Sequence, residues 1–185
     1  MTTATDSVAA YGYGGRFYWL VGGAAGGLLS SALFGGLLWL VEPTIITETI
    51  PAIYGLEPGA AGWGFHLLHG LLLGIGFGLL ISRPLVLGTI TATVETDPLE
   101  ALGPGARITM AGIVYGLAIW ALLPVIAQTI WITVTGMADT TFPTIAFESL
   151  VGHLLWGLVL GAVFSLFVEV RPAARDTAGP FDEPE

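Results

Sequence analysis

The sequence predicts an all-α fold, an integral membrane four-helix bundle made of two tandem two-helix repeats related by a pseudo-twofold axis along the membrane normal. Three observations carry that prediction. The chain of 185 residues is 54% hydrophobic and 10% charged, whereas an ordinary soluble domain is about 25% charged. Four apolar stretches each supply the roughly 20 residues that a helix needs to cross a hydrocarbon core about 30 Å thick. A pattern in the second stretch returns in the fourth.

Residues 1–15 are Thr-, Ala- and Gly-rich with little amphipathic pattern, and read as a flexible N-terminal tail. Repeat 1 covers 16–82, with a first span over 17–41 and a second over 61–82. Before the first span there is Arg16 but no short apolar core with a cleavage site, so the span is expected to be retained. Pro43 then removes a backbone donor and stops or kinks the helix. The Thr/Ile-rich segment from Pro43 to Tyr54 is expected to form a short helix at the outer interface, with Glu48 facing water.

Residues 83–107 read as a cytoplasmic loop. Repeat 2 covers 108–170, with a third span over 108–134 and a fourth over 147–168. As one straight helix the third stretch is about 40 Å long, more than the bilayer requires. A kink is therefore expected at Pro124, placing Gln128 near the outer surface. Residues 171–185 combine Pro, Gly and carboxylates and read as an acidic C-terminal tail.

Cationic loops resist translocation, so the positions of Lys and Arg set the orientation. Lys is absent, and the five arginines are Arg16, Arg83, Arg107, Arg171 and Arg175, all at one end of the spans. Both termini are expected in the cytoplasm and the chain in the cytoplasmic membrane. The opposite loops carry Glu42, Glu48, Glu57, Asp139 and Glu148 and no cation. A lysine-free, acid-rich surface is read as solvation in high salt, with cation binding by a specific carboxylate cluster as the alternative. There is no basic face for nucleic acid, and without cysteine there is no disulfide or thiolate metal site.

The duplication rests on His66-Leu-Leu-His69-Gly70-Leu-Leu-Leu-Gly74-Ile-Gly-Phe77 set against His153-Leu-Leu-Trp156-Gly157-Leu-Val-Leu-Gly161-Ala-Val-Phe164. Eight of the twelve positions are identical, including the first His, two glycines and the Phe. More faintly, Gly36-Leu37 and Glu48-Thr49-Ile50 correspond to Gly116-Leu117 and Gln128-Thr129-Ile130. Two spans per unit make this a parallel repeat.

Helical spacing puts His66, Gly70, Gly74 and Gly78 on one stripe, and His153, Gly157, Gly161 and Ser165 on its equivalent. Small residues every fourth position let helices approach closely, so the second and fourth spans are expected to pack on each other along these stripes. Gly22-Gly26, Gly23-Gly27 and Gly112-Gly116 have the same GxxxG spacing and read as internal packing, with a homo-oligomer contact as the alternative. Trp39, Trp63, Trp131 and Trp156 lie toward the outer end and read as interfacial anchors.

All three histidines then fall in one outer-leaflet layer, and an ionisable group in hydrocarbon is a candidate functional site. His66 and His153, with His69, could ligate haem through paired imidazoles, bind a transition metal such as zinc or copper, or hydrogen-bond a quinone-like ligand or pass a proton. Against these stands a structural role in which the imidazoles bond each other or a carbonyl freed by Pro43 or Pro124, pinning the repeats. Close glycine contact argues against a haem slot, and Trp156 in place of His69 argues against a symmetric metal site. No catalytic triad, phosphate-binding loop or catalytic acid pair is present.

The run PAIYGLEPGAAGWGFHLLHG over 51–70, with its echo SLVGHLLWGLVLGAVF over 149–164, resembles a group of small four-helix membrane proteins of haloarchaea. The resemblance covers nearly the whole chain apart from its tails, and implies habitat and architecture without an activity. Some members carry the label histidine kinase, which this sequence contradicts, having no ATP-binding domain and no cytoplasmic phosphoacceptor helix. The leading expectation is a non-enzymatic membrane protein, structural or accessory to the subunits of a larger membrane complex. The alternatives are a haem- or metal-bearing redox subunit and a small-solute or ion transporter, the latter motivated by Glu48, Gln128 and the proline breaks, with Glu148 as a further outer polar candidate.

Overall fold

A computed structural model describes residues 11–12, 17–91, 102–136, 147–168 and 171–172. Most of both tails, Arg16, Asp139 and the middle of the 83–107 segment lie outside the described residues. Four helices are long and apolar enough to cross a membrane, and the described residues are otherwise nearly all helical.

The first span, α1, runs Tyr18–Val41. Beyond Pro43 the chain makes a widened π turn over Ile45–Thr49, in which the Ile50 N–H reaches the Ile45 carbonyl, and continues as the short helix α2, Ile50–Ile53. Ile46, Ile50 and Pro51 are buried while Glu48 is exposed. The second span, α3, runs Ala61–Ile81 and starts tight against that turn: a side chain at Gly62 would overlap the Ile46 carbonyl.

The segment read as a loop over 83–107 is partly helical. Helix α4, Pro84–Thr91, is apolar enough to bury Leu87, and the third span starts at Pro104, whose missing N–H costs nothing in a first turn. That span comprises α5, Pro104–Trp120, a π segment over Ala121–Ala127 around Pro124, and α6, Gln128–Thr135. Gly136, at φ +70°, ends it in the left-handed conformation that glycine adopts without penalty. The fourth span, α7, is Phe147–Phe167. Two extended pairs, β1 (Tyr11–Gly12) and β2 (Arg171–Pro172), pair antiparallel and hold the flanks of the first and last spans together.

Helix α1 is the hub, packing on both α3 and α7, while α7 also packs along α5. It achieves this with glycines on adjacent faces. A Cβ on Gly27 would fall onto the Gly70 carbonyl and 2.9 Å from Gly74 Cα, while one on Gly22 would lie 2.9 Å from Phe167 Cβ. At the α5–α7 seam a Cβ on Gly112 would overlap the Gly157 carbonyl and lie 2.8 Å from Gly161 Cα.

These contacts correct the expected pairing of the second and fourth spans. The stripe Gly70, Gly74 and Gly78 of α3 seats on α1, and Gly157 and Gly161 of α7 seat on α5. A small-residue face reaches closest approach only against another, and the hairpin partner supplies one in each case. Helices α3 and α7 meet instead through Phe77 and Phe164, whose rings stand edge to face at 5.2 Å. With Ile81, Ile108 and Leu160 these two rings form the core. Large apolar side chains such as Leu40 and Leu166, both 83% exposed, cover the outside.

Candidate functional site

Three of the four neighbouring span pairs are closed by helix packing, but α3 and α5 make no comparable backbone contact. Between them, at the end away from the termini, lies a cavity of about 950 Å³. Its lining is mostly apolar and includes Leu73 of α3, Ile119 of α5, Leu38 of α1 and Trp156 of α7. Leu72 and Leu123 line it from the two unpacked spans and are also 57% and 44% exposed, so the cavity opens sideways between them.

All three histidines line this cavity, each held differently. His66 Nε2 donates to the Ser31 carbonyl at 3.0 Å, tying α3 to α1, and its ring stands edge-on to Phe34 and Trp63. His153 Nδ1 donates at 2.7 Å to the Ser149 carbonyl one turn back on its own helix. The Phe34 ring also packs edge-on against His153, with centroids 5.0 Å apart. His69 Nε2 is hydrogen-bonded to the Tyr54 hydroxyl, and Tyr54 stacks on Phe65 at 4.0 Å.

The imidazoles therefore bond neither each other nor a carbonyl freed by Pro43 or Pro124. Their actual partners are Ser31, Ser149 and Tyr54. Only His66 ties two spans together. Among the described residues no three His, Cys, Asp or Glu side chains gather as a metal-ligand set, so the histidines do not form the trio that the metal reading requires. Gln128 and Glu148 also line the cavity, as does Glu42, whereas Glu48 stands on the π turn outside it.

Trp156 is not an interfacial anchor. It is 4% exposed and its indole N–H donates to Ser31 Oγ at 2.9 Å, inside the bundle. Trp39 and Trp131 are about half exposed, as a belt position requires. Ser31, Phe34 and Tyr115 were not singled out from the sequence. Ser31 accepts from both His66 and Trp156, and thus joins three spans. The signal for it was the Ser30-Ser31 pair, an isolated polar site in an apolar span. Tyr115 donates to the Leu73 carbonyl at 3.0 Å and stacks on Trp156, bridging the gap between α5 and α3. Beyond Tyr115, toward the termini, a second cavity of about 500 Å³ lies between the same spans, lined by Phe77, Val86 and Ala111.

Comparison with protein-family models, with curated proteins and with solved structures gives no match for this chain.

Proposed function

We propose that this chain is a multi-pass protein of the cytoplasmic membrane whose cavity holds an amphipathic, largely apolar ligand drawn from the bilayer, without catalysing a reaction on it. One observation carries the reading: a cavity of about 950 Å³ opens sideways between the two spans that do not pack, with apolar walls and a few convergent polar groups. Ligand sites are commonly concave, mostly apolar and about 300–1,000 Å³ in volume. A lateral mouth edged by Leu72 and Leu123 suits a solute dissolved in lipid.

The arginine distribution supports cytoplasmic termini, which puts the cavity in the outer half of the membrane. The acid-rich, lysine-free composition supports the haloarchaeal resemblance. Tandem duplication is supported by the seams, since Gly27 meets Gly70 and Gly74 as Gly112 meets Gly157 and Gly161. In this pairing Gly116, against His153 and Gly157, takes the place of Ser31, against His66 and Gly70. That replaces the Gly36–Gly116 register read from the sequence. Gly36 and Gly64 meet no other atoms where a side chain would stand, so neither takes part in these seams.

The test is native mass spectrometry of the protein released from nanodiscs. Wild type is expected to carry a small molecule, or to take one up from added lipid extract. Ala127→Trp, which fills the cavity, is expected to lose it. A bare wild-type mass that no extract shifts would overturn the reading.

A further inference from the structure

We infer that the ligand of this cavity is a hydrogen-bond-donating amphipathic cation, a protonated amine on an apolar body. The inference rests on the cavity reading above and adds the chemistry of the headgroup.

The first support is the hydrogen-bonding of the two more buried histidines. A backbone carbonyl only accepts, so His66 carries its proton on Nε2 and His153 carries its own on Nδ1. In a neutral imidazole the other nitrogen is then an acceptor. His66 Nδ1 and His153 Nε2 make no protein hydrogen bond among the described residues. Nor are they sealed away: among described side chains only the Trp120 Nε1 is both buried and unpartnered. The cavity thus offers two accessible lone pairs near the Phe34 ring, and lone pairs call for a donor.

The second support is charge. Among the described residues the cavity is lined by the carboxylates Glu42 and Glu148, on α1's end and α7's start, and by no Lys or Arg. A carboxylate-bearing or phosphate-bearing ligand would meet those groups with nothing to pair it. A cation meets complementary charge at the cavity's end away from the termini and aromatic side chains on the walls, including Phe34, Trp131 and Trp156. The Gln128 amide and Tyr54 hydroxyl can donate as well as accept, and so fit this ligand without selecting it. A quinone, which only accepts, has the wrong complement for the imidazoles.

The test uses the full chain in nanodiscs and three probes with one tail: dodecylamine, dodecyltrimethylammonium and dodecanoate. Binding is read by fluorescence of the cavity tryptophans against empty nanodiscs. Dodecylamine is expected to bind at least tenfold more tightly than dodecanoate, with the trimethylammonium, which has charge but no donor, between them. Glu148→Gln, at an exposed position, is expected to weaken both cations severalfold, while His153→Ala weakens only the primary amine. Dodecanoate binding as tightly as dodecylamine would overturn the inference and leave the cavity reading standing. Equal binding of the two cations would overturn the imidazole assignment. No saturable binding of any probe, combined with a bare native mass, would overturn both readings.

Discussion

At the scale of single residues, Ser31 is where the bundle is tied. Its carbonyl takes the His66 proton, its hydroxyl takes the Trp156 indole N–H, and it touches the Gly70 position so closely that any side chain there would overlap it. A buried donor left without its acceptor costs about 1–3 kcal/mol. Ser31→Ala strands the Trp156 N–H and keeps the His66 bond, whereas His66→Ala removes an inter-span bond worth about 1 kcal/mol together with two ring contacts. His153→Ala removes a bond to its own preceding turn and one edge-on contact with Phe34, but no hydrogen bond between spans. Thermal unfolding in detergent is therefore expected to show Ser31→Ala and His66→Ala clearly destabilised and His153→Ala the least affected of the three. Equal losses at His66 and His153 would restore the symmetric pinning role read from the sequence. The sequence showed these histidines in one layer, but a hydrogen-bond partner on another helix leaves no trace in local pattern.

At the scale of elements, length and hydropathy made the four helices legible, because the bilayer demands about 20 apolar residues whatever the packing. Their partners were not legible. The stripes of α3 and α7 are nearly identical in sequence, and either could have met the other. What decides is that α1 and α5 carry small residues in matching rows, so each hairpin closes on itself. Trp156 shows the same limit, since an indole in an apolar span serves a membrane belt or a core equally well until its N–H finds Ser31. The seams give a paired expectation. Gly74→Val drives a side chain into Gly23 and Gly27 backbone and is expected to cost about 3 kcal/mol or to prevent folding, by analogy with overpacked cores. Gly36→Ala, where a Cβ meets nothing within 4 Å, is expected to leave the unfolding midpoint unchanged or raised. Comparable loss in both variants would show that the α1–α3 seam is not the close contact described here. Pro124 acts differently. It lies buried in the π segment that carries Leu123 and Ala127 past the cavity and leads into Gln128, and a π turn is the way a helix absorbs a missing hydrogen bond without breaking.

At the scale of the molecule, the spans form an open ring in the order α3, α1, α7, α5, closed tightly at three contacts and loosely at the fourth. Tyr115 is the bridge at that fourth contact. It separates the larger cavity from the smaller one beyond it and carries a hydrogen bond from α5 to α3. If the gap admits a ligand from lipid, the α3–α5 separation must be the soft coordinate, because the glycine seams cannot slide without backbone overlap. The chain has no cysteine, so paired spin labels can be placed at will. Labels at Leu72→Cys and Leu123→Cys are expected to give a broad distance distribution that narrows when ligand fills the cavity. Tyr115→Phe, which deletes only the phenolic bond to Leu73, is expected to broaden it further while costing about 1 kcal/mol or less in stability. Labels at Leu29→Cys and Leu68→Cys, on α1 and α3, are expected to stay narrow throughout. A 72–123 distribution as narrow as this control, and unmoved by Tyr115→Phe, would mean that the ring is closed and that the cavity is filled only from the water side.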